Sequence, residues 1–361
     1  MMEKLEALLE KRALPPLKTR EEMKEILLRE EYGFLPEIEY ETSVRITDES
    51  IENRLDCRKC TLSSAEMTVT TKYGSHTFPF TRLLHNDGKK HPFFVFMNFE
   101  ANVPAFYYPA EIVAEQGFDV LAFYYEDVTS DDNDFENGLA KVLMNGDRSS
   151  DTACGKIILW SFAASRLLDY AYTLDCLDTD HAAVLGHSRL GKTALVTGML
   201  DERFKYVCSN NAGCSGDAIA KGGLGQTEAK GKHGGNGESI KVIYDRFPFW
   251  FCKNYEKYGE KNYSDEFDQH YLLACSAPRY VHVAASDMDD WADPDSEQLC
   301  CLAAGKMWEQ QGLTGFIHND ELIEPDTVLH EGHVGFHRRS GAHFLSYKNW
   351  IEDMNFIRKH F

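Results

Sequence analysis

Apolar and polar residues along the chain follow a pattern that predicts strands alternating with helices. Five predominantly apolar runs have the length of buried strands in a parallel sheet, and they span 92–97, 118–125, 182–186, 204–208 and 280–285. Apolar residues at helical spacing occupy the segments 108–116, 156–174, 268–277, 296–311 and 343–357, and another helix begins near Leu190. This alternation is typical of a mostly parallel sheet with helices on both faces, a three-layer α/β sandwich.

The regions outside this pattern differ from it. Residues 1–39 have helical periodicity with charges on one face, which predicts a helical N-terminal extension. Residues 40–84 alternate polar and apolar positions, which indicates antiparallel strands. Residues 127–145 are polar and acidic and predict a surface loop, and 328–340 is also predicted to be a loop. Without an internal repeat, the pattern predicts a single α/β domain over residues 1–361.

Composition adds exclusions to this picture. The chain has 361 residues, of which 43% are hydrophobic, so it can bury a sizeable core. Its formal net charge is −20, and its sequence pI is about 5.1. Nucleic acids and anionic membranes bind basic surfaces, so this charge argues against both as partners. A negatively charged substrate would need a local cationic pocket.

The N-terminus and the cysteines predict a cellular compartment. Residues 1–20 are charged and lack the apolar segment of a signal peptide, so we expect a cytoplasmic protein, or a secreted one if a leader was trimmed. Ten cysteines are consistent with a reducing compartment. Cys57 and Cys60 form a lone CxxC with no second pair at zinc-like spacing, and we expect plain thiols there.

Residues 182–195 carry the strongest chemical motif, and two chemistries fit it. An apolar strand, a tight turn at Ser188 and a helix describe the nucleophile elbow of α/β-hydrolases. The same residues place Gly191-Lys192-Thr193 four residues after Gly186, which matches the phosphate-binding loop of nucleotide hydrolases. The local motif leaves both chemistries open.

The rest of the chain favours the serine nucleophile. A triad in α/β-hydrolases follows the order serine, acid, histidine, and here Ser188 precedes the aspartates of 287–290 and His343. A phosphate loop normally opens its nucleotide domain, whereas two buried strands come first here. We therefore predict an α/β-hydrolase fold, with a P-loop NTPase using Gly186–Thr193 as the alternative of another class. One departure is that Leu190 occupies the last glycine position of G-x-S-x-G, with Gly191 one residue later.

Several motifs together resemble a known family. The run 186–192 resembles the G-x-S-R-x-G-K signature of bacterial-type glucuronoyl esterases, carbohydrate esterase family 15. Residues 98–102 resemble that family's N-F-x-G-N loop, and 289–294 its D-x-W-A-D-P segment. Residues 333–338 and 341–343 resemble the segment around its catalytic histidine. The resemblance extends from about residue 90 to 355, with the motifs in the family's order.

This resemblance implies roles for individual residues. Ser188 would be the nucleophile, His343 the general base, and Arg189 an oxyanion donor through its backbone N–H and guanidinium. Lys192 would hydrogen-bond sugar hydroxyls, and Trp291 would pack against the sugar ring. Gln226 stands where some members carry a glutamate near the sugar, so hydrogen bonding is kept while the charge is lost.

The triad acid departs from the pattern of many members. Where they carry a glutamate after the strand that follows the elbow, this chain has Asn211. An amide cannot stabilise an imidazolium as a carboxylate does, so the acid is expected after the later strand. Asp289 is the first choice and Asp290 the reserve, and Asn211→Ala is expected to have little effect.

The resulting prediction is a serine carbohydrate esterase that acts through an acyl-enzyme. The favoured substrate is a glucuronoyl ester from (4-O-methyl)glucuronoxylan, in xylan degradation, and an acetyl xylan or other carbohydrate acetyl esterase is the alternative. No cofactor and no metal are expected, because the sequence around His330, His333 and His337 is one residue short of H-E-x-x-H. These histidines are expected in a loop lining the site. The oligomeric state stays open.

Overall fold

The protein is built on one sheet of ten strands, described here from a computed structural model that covers residues 4–52 and 60–361. The strands are β1 (Tyr40–Glu52), β2 (Cys60–Thr71), β3 (Gly74–His85), β4 (His91–Asn98), β5 (Asp119–Tyr124), β6 (Leu177–His187), β7 (Tyr206–Asn210), β8 (Tyr280–Ser286), β9 (Thr327–Leu329) and β10 (Val334–Arg339). Their order across the sheet is β1-β2-β3-β5-β4-β6-β7-β8-β10-β9. The strands β5, β4, β6, β7, β8 and β10 are parallel, and antiparallel strands flank them on both sides.

Helices cover both faces of this sheet. They are α1 (Leu5–Arg12), α2 (Arg20–Leu27), α3 (Ala110–Glu115), α4 (Tyr125–Val128), α5 (Gly138–Met144), α6 (Lys156–Ala171), α7 (Arg189–Leu200), α8 (Leu224–Thr227), α9 (Ile240–Arg246), α10 (His270–Ala274), α11 (Pro294–Gln310) and α12 (Tyr347–Lys359). A π-helical turn spans Leu28–Tyr32, and 3-10 turns span Pro248–Trp250 and Lys253–Gly259.

The central strands are buried on both sides because alternate residues enter two cores. In β4, Phe93 and Val95 face the core under α6, α7 and α11, whereas Phe94 and Phe96 face the core under α3 and α12. Trp350 of α12 packs edge-on against Phe94 and Phe96, with ring centroids 5.2 and 4.9 Å away. The predicted three-layer α/β architecture is thus confirmed.

Two predicted loops are wrong. Residues 328–340 contain β10, which pairs in parallel with β8 and is buried along its whole length. Its apolar pattern is interrupted by Gly335, His337, Arg338 and Arg339, so the sequence does not look like a buried strand. The strand can nevertheless be buried because its polar side chains form their hydrogen bonds inside the protein rather than with water. The acidic segment 127–145 contains α5 and the end of α4.

The N-terminal helices are packed onto the body of the domain. Met23 and Leu27 of α2 belong to the larger core, as do Leu5 and Leu9 of α1. Arg20 donates hydrogen bonds to the carbonyl oxygens of Met199 and Cys275.

Two further features of the described residues are the state of the cysteines and the character of the helices. The nine cysteines that the structure describes are free thiols. Cys60 is buried at the start of β2, and Cys57 lies outside the described residues. A search of the described helices finds none with the length and apolar character needed to cross a membrane.

Candidate active site

Ser188 occupies a strained turn between β6 and α7. Its φ of 56° and ψ of −125° lie where residues other than glycine are uncommon, and such strain is typical of functional turns. Its backbone N–H donates to the Asn210 carbonyl oxygen at 2.8 Å, which ties the turn to β7. A Cβ at Gly186 would overlap the carbonyl of Leu190, so the turn requires glycine there.

Gly191 explains how the elbow tolerates Leu190. A Cβ at Gly191 would lie 3.0 Å from Ser209 Oγ and 3.1 Å from Ala212 Cβ, so α7 packs closely on the end of β7 at this position. Leu190 is itself buried in the core. The close helix–strand contact is therefore made one residue later than in G-x-S-x-G.

His343 and Asp289 meet at the carboxyl edge of the sheet. His343 Nδ1 is 2.6 Å from Asp289 Oδ2, and the side chains are 39% and 3% exposed respectively. Burial acts to raise the pKa of Asp289, but hydrogen bonds from His343 and Asn211 and the charge of His343 outweigh it and lower this pKa below its usual value. An ionised Asp289 fixes the proton of His343 on Nδ1 and leaves Nε2 free to accept one.

His343 packs against His187, the residue that precedes Ser188 at the elbow. The ring centroids of His187 and His343 are 4.5 Å apart. Burial, followed by the nearby His343, lowers the pKa of His187 to about 3, so this imidazole stays neutral. Its Nδ1 is 2.6 Å from Asn210 Oδ1, and its ring stacks on Tyr107 with centroids 5.5 Å apart.

Asn211 touches the acid directly. Its Nδ2 donates to Asp289 Oδ2 at 2.7 Å, and its Oδ1 accepts a hydrogen bond from Ser286 Oγ at 3.1 Å. The sequence signals only that a carboxylate is missing at this position. In the structure the amide donates to Asp289, the carboxylate that is predicted to take over as the acid.

Asp290, predicted as the reserve acid, contacts the backbone of the glycine-rich loop. Its carboxylate accepts hydrogen bonds from the backbone N–H of His233 at 3.0 Å and of Gly235 at 2.7 Å. It therefore fixes the glycine-rich loop, whereas the carboxylate that contacts His343 Nδ1 is that of Asp289. Asp287 pairs with Arg338 at 3.0 Å and with Lys232 at 3.3 Å.

Arg189 begins α7 and lies in an aromatic cage. Its guanidinium forms an ion pair with Asp131 and stands over the rings of Phe99, Phe247 and Trp250, at 5.7, 5.3 and 4.7 Å from their centroids. Trp250 Nε1 also donates to Asp131, at 2.6 Å. As the first residue of α7, Arg189 has a backbone N–H without an intrahelical acceptor. The sequence prediction missed Asp131 because it treated the acidic segment as surface loop.

Lys192 is buried, which alters two predictions for it. Its side chain is 3% exposed, and Nζ donates to the carbonyl oxygens of Ala212 and Cys214 and, at 3.2 Å, to Glu238 Oε2. These three acceptors match the three donors of an ammonium group. Lys192 therefore has no spare donor for sugar hydroxyls, nor for the phosphates that the P-loop alternative requires.

Glu238 connects Lys192 to Trp291. Its Oε1 accepts from Trp291 Nε1 at 3.1 Å, and its backbone N–H donates to the Trp291 carbonyl oxygen at 2.8 Å. Trp291 is half-buried, with the Arg246 guanidinium 5.5 Å from its ring centroid. Gln226 instead closes a turn, since its Oε1 accepts from the Gly222 N–H at 2.9 Å. The sequence analysis missed Glu238 because the family resemblance pointed to Gln226 as the residue near the sugar.

The histidines of 330–337 do not form a loop around the site as expected. His330 and His337 lie at 2.9 and 3.3 Å from Nε2 of His282 on β8, and all three are buried. His282 Nδ1 in turn lies 2.6 Å from Asp353 of α12. Burial lowers the pKa of each of the three, so they are neutral.

The proton positions in this cluster follow from Asn349. Its Oδ1 accepts hydrogen bonds from Arg339 Nε and from the Ser346 N–H, so its Nδ2 must donate to His337 Nε2. His337 therefore carries its proton on Nδ1 and donates it to His282. The protonated Nδ1 of His337 has no lone pair to offer a metal in this arrangement.

The strand order, the elbow after β6 and the histidine after the last parallel strand are those of an α/β-hydrolase with a serine at its nucleophile elbow. Residues 67–312, more than half of the chain, match the family model described as "Glucuronyl esterase, fungi". The chain belongs to the glucuronoyl esterase family, carbohydrate esterase family 15.

Individual relatives agree with this assignment. The chain is 32% identical to the carbohydrate esterase MZ0003 of an unknown prokaryotic organism, over 68% of this chain and 54% of that protein. It is 24% identical to the 4-O-methyl-glucuronoyl methylesterase of Hypocrea jecorina, over 81% and 57%. A promiscuous CE15 esterase from a marine bacterial metagenome superposes with a TM-score of 0.82 at 26% identity, covering 95% of this chain and 91% of that one. The chain thus spans about half the length of the curated relatives it matches.

Proposed function

We propose that the protein is a serine carboxylic-ester hydrolase that cleaves glucuronoyl esters of xylan-derived saccharides. The observation that carries this proposal is the 2.6 Å hydrogen bond between His343 and Asp289. The ring of His343 also packs against His187, the residue before Ser188. The names of the family and of its curated 4-O-methyl-glucuronoyl methylesterases support the substrate class.

In this proposal Ser188 and His343 perform the chemistry. Ser188 Oγ attacks the ester carbonyl while His343 Nε2 takes its proton, and Asp289 stabilises the imidazolium. The tetrahedral oxyanion accepts hydrogen bonds from the N–H and the guanidinium of Arg189, where one such donor is worth about 3–4 kcal/mol. The intermediate expels the alcohol, which receives the proton from His343. Water, deprotonated by His343, then releases the uronic acid and regenerates Ser188.

The charges around the site support an ester of this kind. Arg189 is paired with Asp131, and Lys192 with Glu238. A glucuronoyl ester carries no carboxylate charge at the reacting carbon, so its binding needs no unpaired cation. Trp291, oriented by Glu238, is the surface we assign to the sugar ring.

The proposal is tested by comparing wild type and Ser188→Ala on methyl glucuronate, benzyl glucuronate and acetylated xylose. Wild type is expected to hydrolyse the glucuronate esters with the higher kcat/KM, and Ser188→Ala to lose about 10⁶-fold in kcat. Ser149→Ala, at an exposed serine outside the site, serves as the control and should match wild type. Preference for acetylated xylose would favour the acetyl esterase alternative, and activity retained by Ser188→Ala would refute the mechanism.

A further inference from the structure

Arg339, the last residue of β10, holds the loop that carries His343. Its guanidinium donates to the carbonyl oxygens of Ser340 at 2.9 Å, Ala342 at 2.9 Å and Phe344 at 3.0 Å. The last two carbonyls flank His343 on both sides. Arg339 is only 9% exposed, so these bonds form largely away from water.

Gly341 lets this loop wrap around the guanidinium. Its φ is +142°, a conformation that side chains rarely adopt. A Cβ at this position would overlap Nη1 of Arg339. The loop is therefore shaped to the arginine side chain as well as bonded to it.

The same guanidinium reaches the acid through two other side chains. Arg339 Nη2 donates to Ser286 Oγ at 2.8 Å, Ser286 Oγ donates to Asn211 Oδ1 at 3.1 Å, and Asn211 Nδ2 donates to Asp289 Oδ2 at 2.7 Å. An arginine can only donate, so the single Ser286 proton must point to Asn211. This sets the Asn211 amide so that its NH₂ faces Asp289.

Arg339 is itself anchored from the opposite side. Its Nε donates to Asn349 Oδ1 at 3.1 Å, and Asn349 is a fully buried residue of α12. Three nitrogens of one rigid planar group thus connect α12, the His343 loop and the end of β8. A lysine, with one nitrogen on a flexible stem, cannot make these contacts together.

We propose that Arg339 is a positioning residue that fixes His343 and Asp289 relative to each other. This inference rests on the proposed function, because it assigns Arg339 to the acid–base pair of that reaction. Trp291 and Glu238 are not among the hydrogen-bond partners of Arg339. Loss of Arg339 should therefore lower kcat while KM stays close to that of wild type.

The kinetic test compares Arg339→Gln and Arg339→Lys with wild type. A displacement of about 1 Å in the acid–base pair can lower kcat about 100-fold, which we expect for Arg339→Gln, with KM within about threefold of wild type. Arg339→Lys should restore little of the loss. Arg338→Gln is the matched control, because this neighbouring buried arginine pairs with Asp287 and Asp295 instead. It is expected to lose thermal stability with a much smaller change in kcat.

A spectroscopic test separates this inference from the proposed function. The Nδ1 proton of His343, bound to Asp289, should give a downfield proton resonance in wild type and in catalytically inactive Ser188→Ala alike. Arg339→Gln should lose or shift this resonance. If Arg339→Gln fails to fold, Ser286→Ala is the substitute variant: it removes only the hydrogen bonds that connect Arg339 to Asp289 through Ser286, and it should also shift the resonance. An unchanged resonance in folded Arg339→Gln, or in Ser286→Ala when Arg339→Gln does not fold, would overturn the inference whatever the substrate.

Discussion

Asp289 is held by two donors that approach the same carboxylate oxygen. His343 Nδ1 and Asn211 Nδ2 lie 2.6 and 2.7 Å from Oδ2. Hydrogen bonds to a charged group are worth about 1.5–3 kcal/mol each, so this arrangement outweighs the burial of the carboxylate. Asp289 follows strand β8, whereas Asn211, which supports it, follows strand β7.

Asp289→Asn tests the assignment of the acid. An asparagine at this position can present its NH₂ to the ring, which disfavours the tautomer that frees Nε2, and we expect kcat to fall by about 10⁴-fold. Steady-state kinetics on a glucuronate ester measure the change. Asp290→Asn, which removes the carboxylate from the glycine-rich loop, should cost far less, and the reverse order of effects would contradict the assignment.

Asn211→Ala tests the support for that acid, and the structure changes the expectation formed from sequence. Asp289 would lose one of its two side-chain donors, and its carboxylate could rotate away from His343. We expect kcat to fall about tenfold, which corresponds to about 1.4 kcal/mol. Asn254→Ala removes an amide hydrogen bond to Arg29 instead and should leave kcat unchanged. A wild-type kcat for Asn211→Ala would restore the earlier expectation.

Among the elements, the π-helical turn Leu28–Tyr32 joins the N-terminal helices to the body of the domain. Tyr32 OH donates to the Ser215 carbonyl oxygen at 3.1 Å, and Gln269 Nε2 donates to both carboxylate oxygens of Glu31 at 3.0 and 3.2 Å. Burial raises the pKa of Glu31 to about 7. The N-terminal packing therefore contains a carboxyl group that titrates near neutral pH.

This titration predicts how stability depends on pH. The folded-state pKa lies above the unfolded value of 4.5, so the folded protein binds more protons between the two values, and stability falls as pH rises from about 4.5 through 7. Glu31→Gln removes this contribution, and its melting temperature relative to wild type should rise as pH increases from 5 to 8. Glu25→Gln, at an exposed position of α2, should follow the wild-type profile. A pH-independent difference between Glu31→Gln and wild type would contradict the prediction.

Strand β10 connects the elements to the site. Its register places Arg339 opposite Ser286 of β8, so the guanidinium and the serine hydroxyl meet where both strands end. His337, two residues earlier, faces the cluster under α12. Strand β10, which was predicted to be a loop, thus holds the loop that carries His343 through Arg339 and contributes His337 to the core.

Over the whole molecule, the sequence by itself determined the layers and the elbow, and it predicted the order of the triad. Strand and helix periodicities are local properties, so the runs around 92–97 and 182–186 were predictable. The turn at Ser188 was recognisable because its glycines are required by the backbone within a few residues. The family resemblance rested on the same local motifs.

Only the tertiary structure decided which residues meet at the edge of the sheet. The sequence ranks Asp289 before Asp290 as the acid, but only the tertiary structure places His343, from another loop, against the Asp289 carboxylate. Lys192 is predicted from the resemblance to contact sugar hydroxyls, yet the turn after β7 and Glu238 enclose it. Contacts of this kind join residues far apart in the chain, and local patterns carry no information about them.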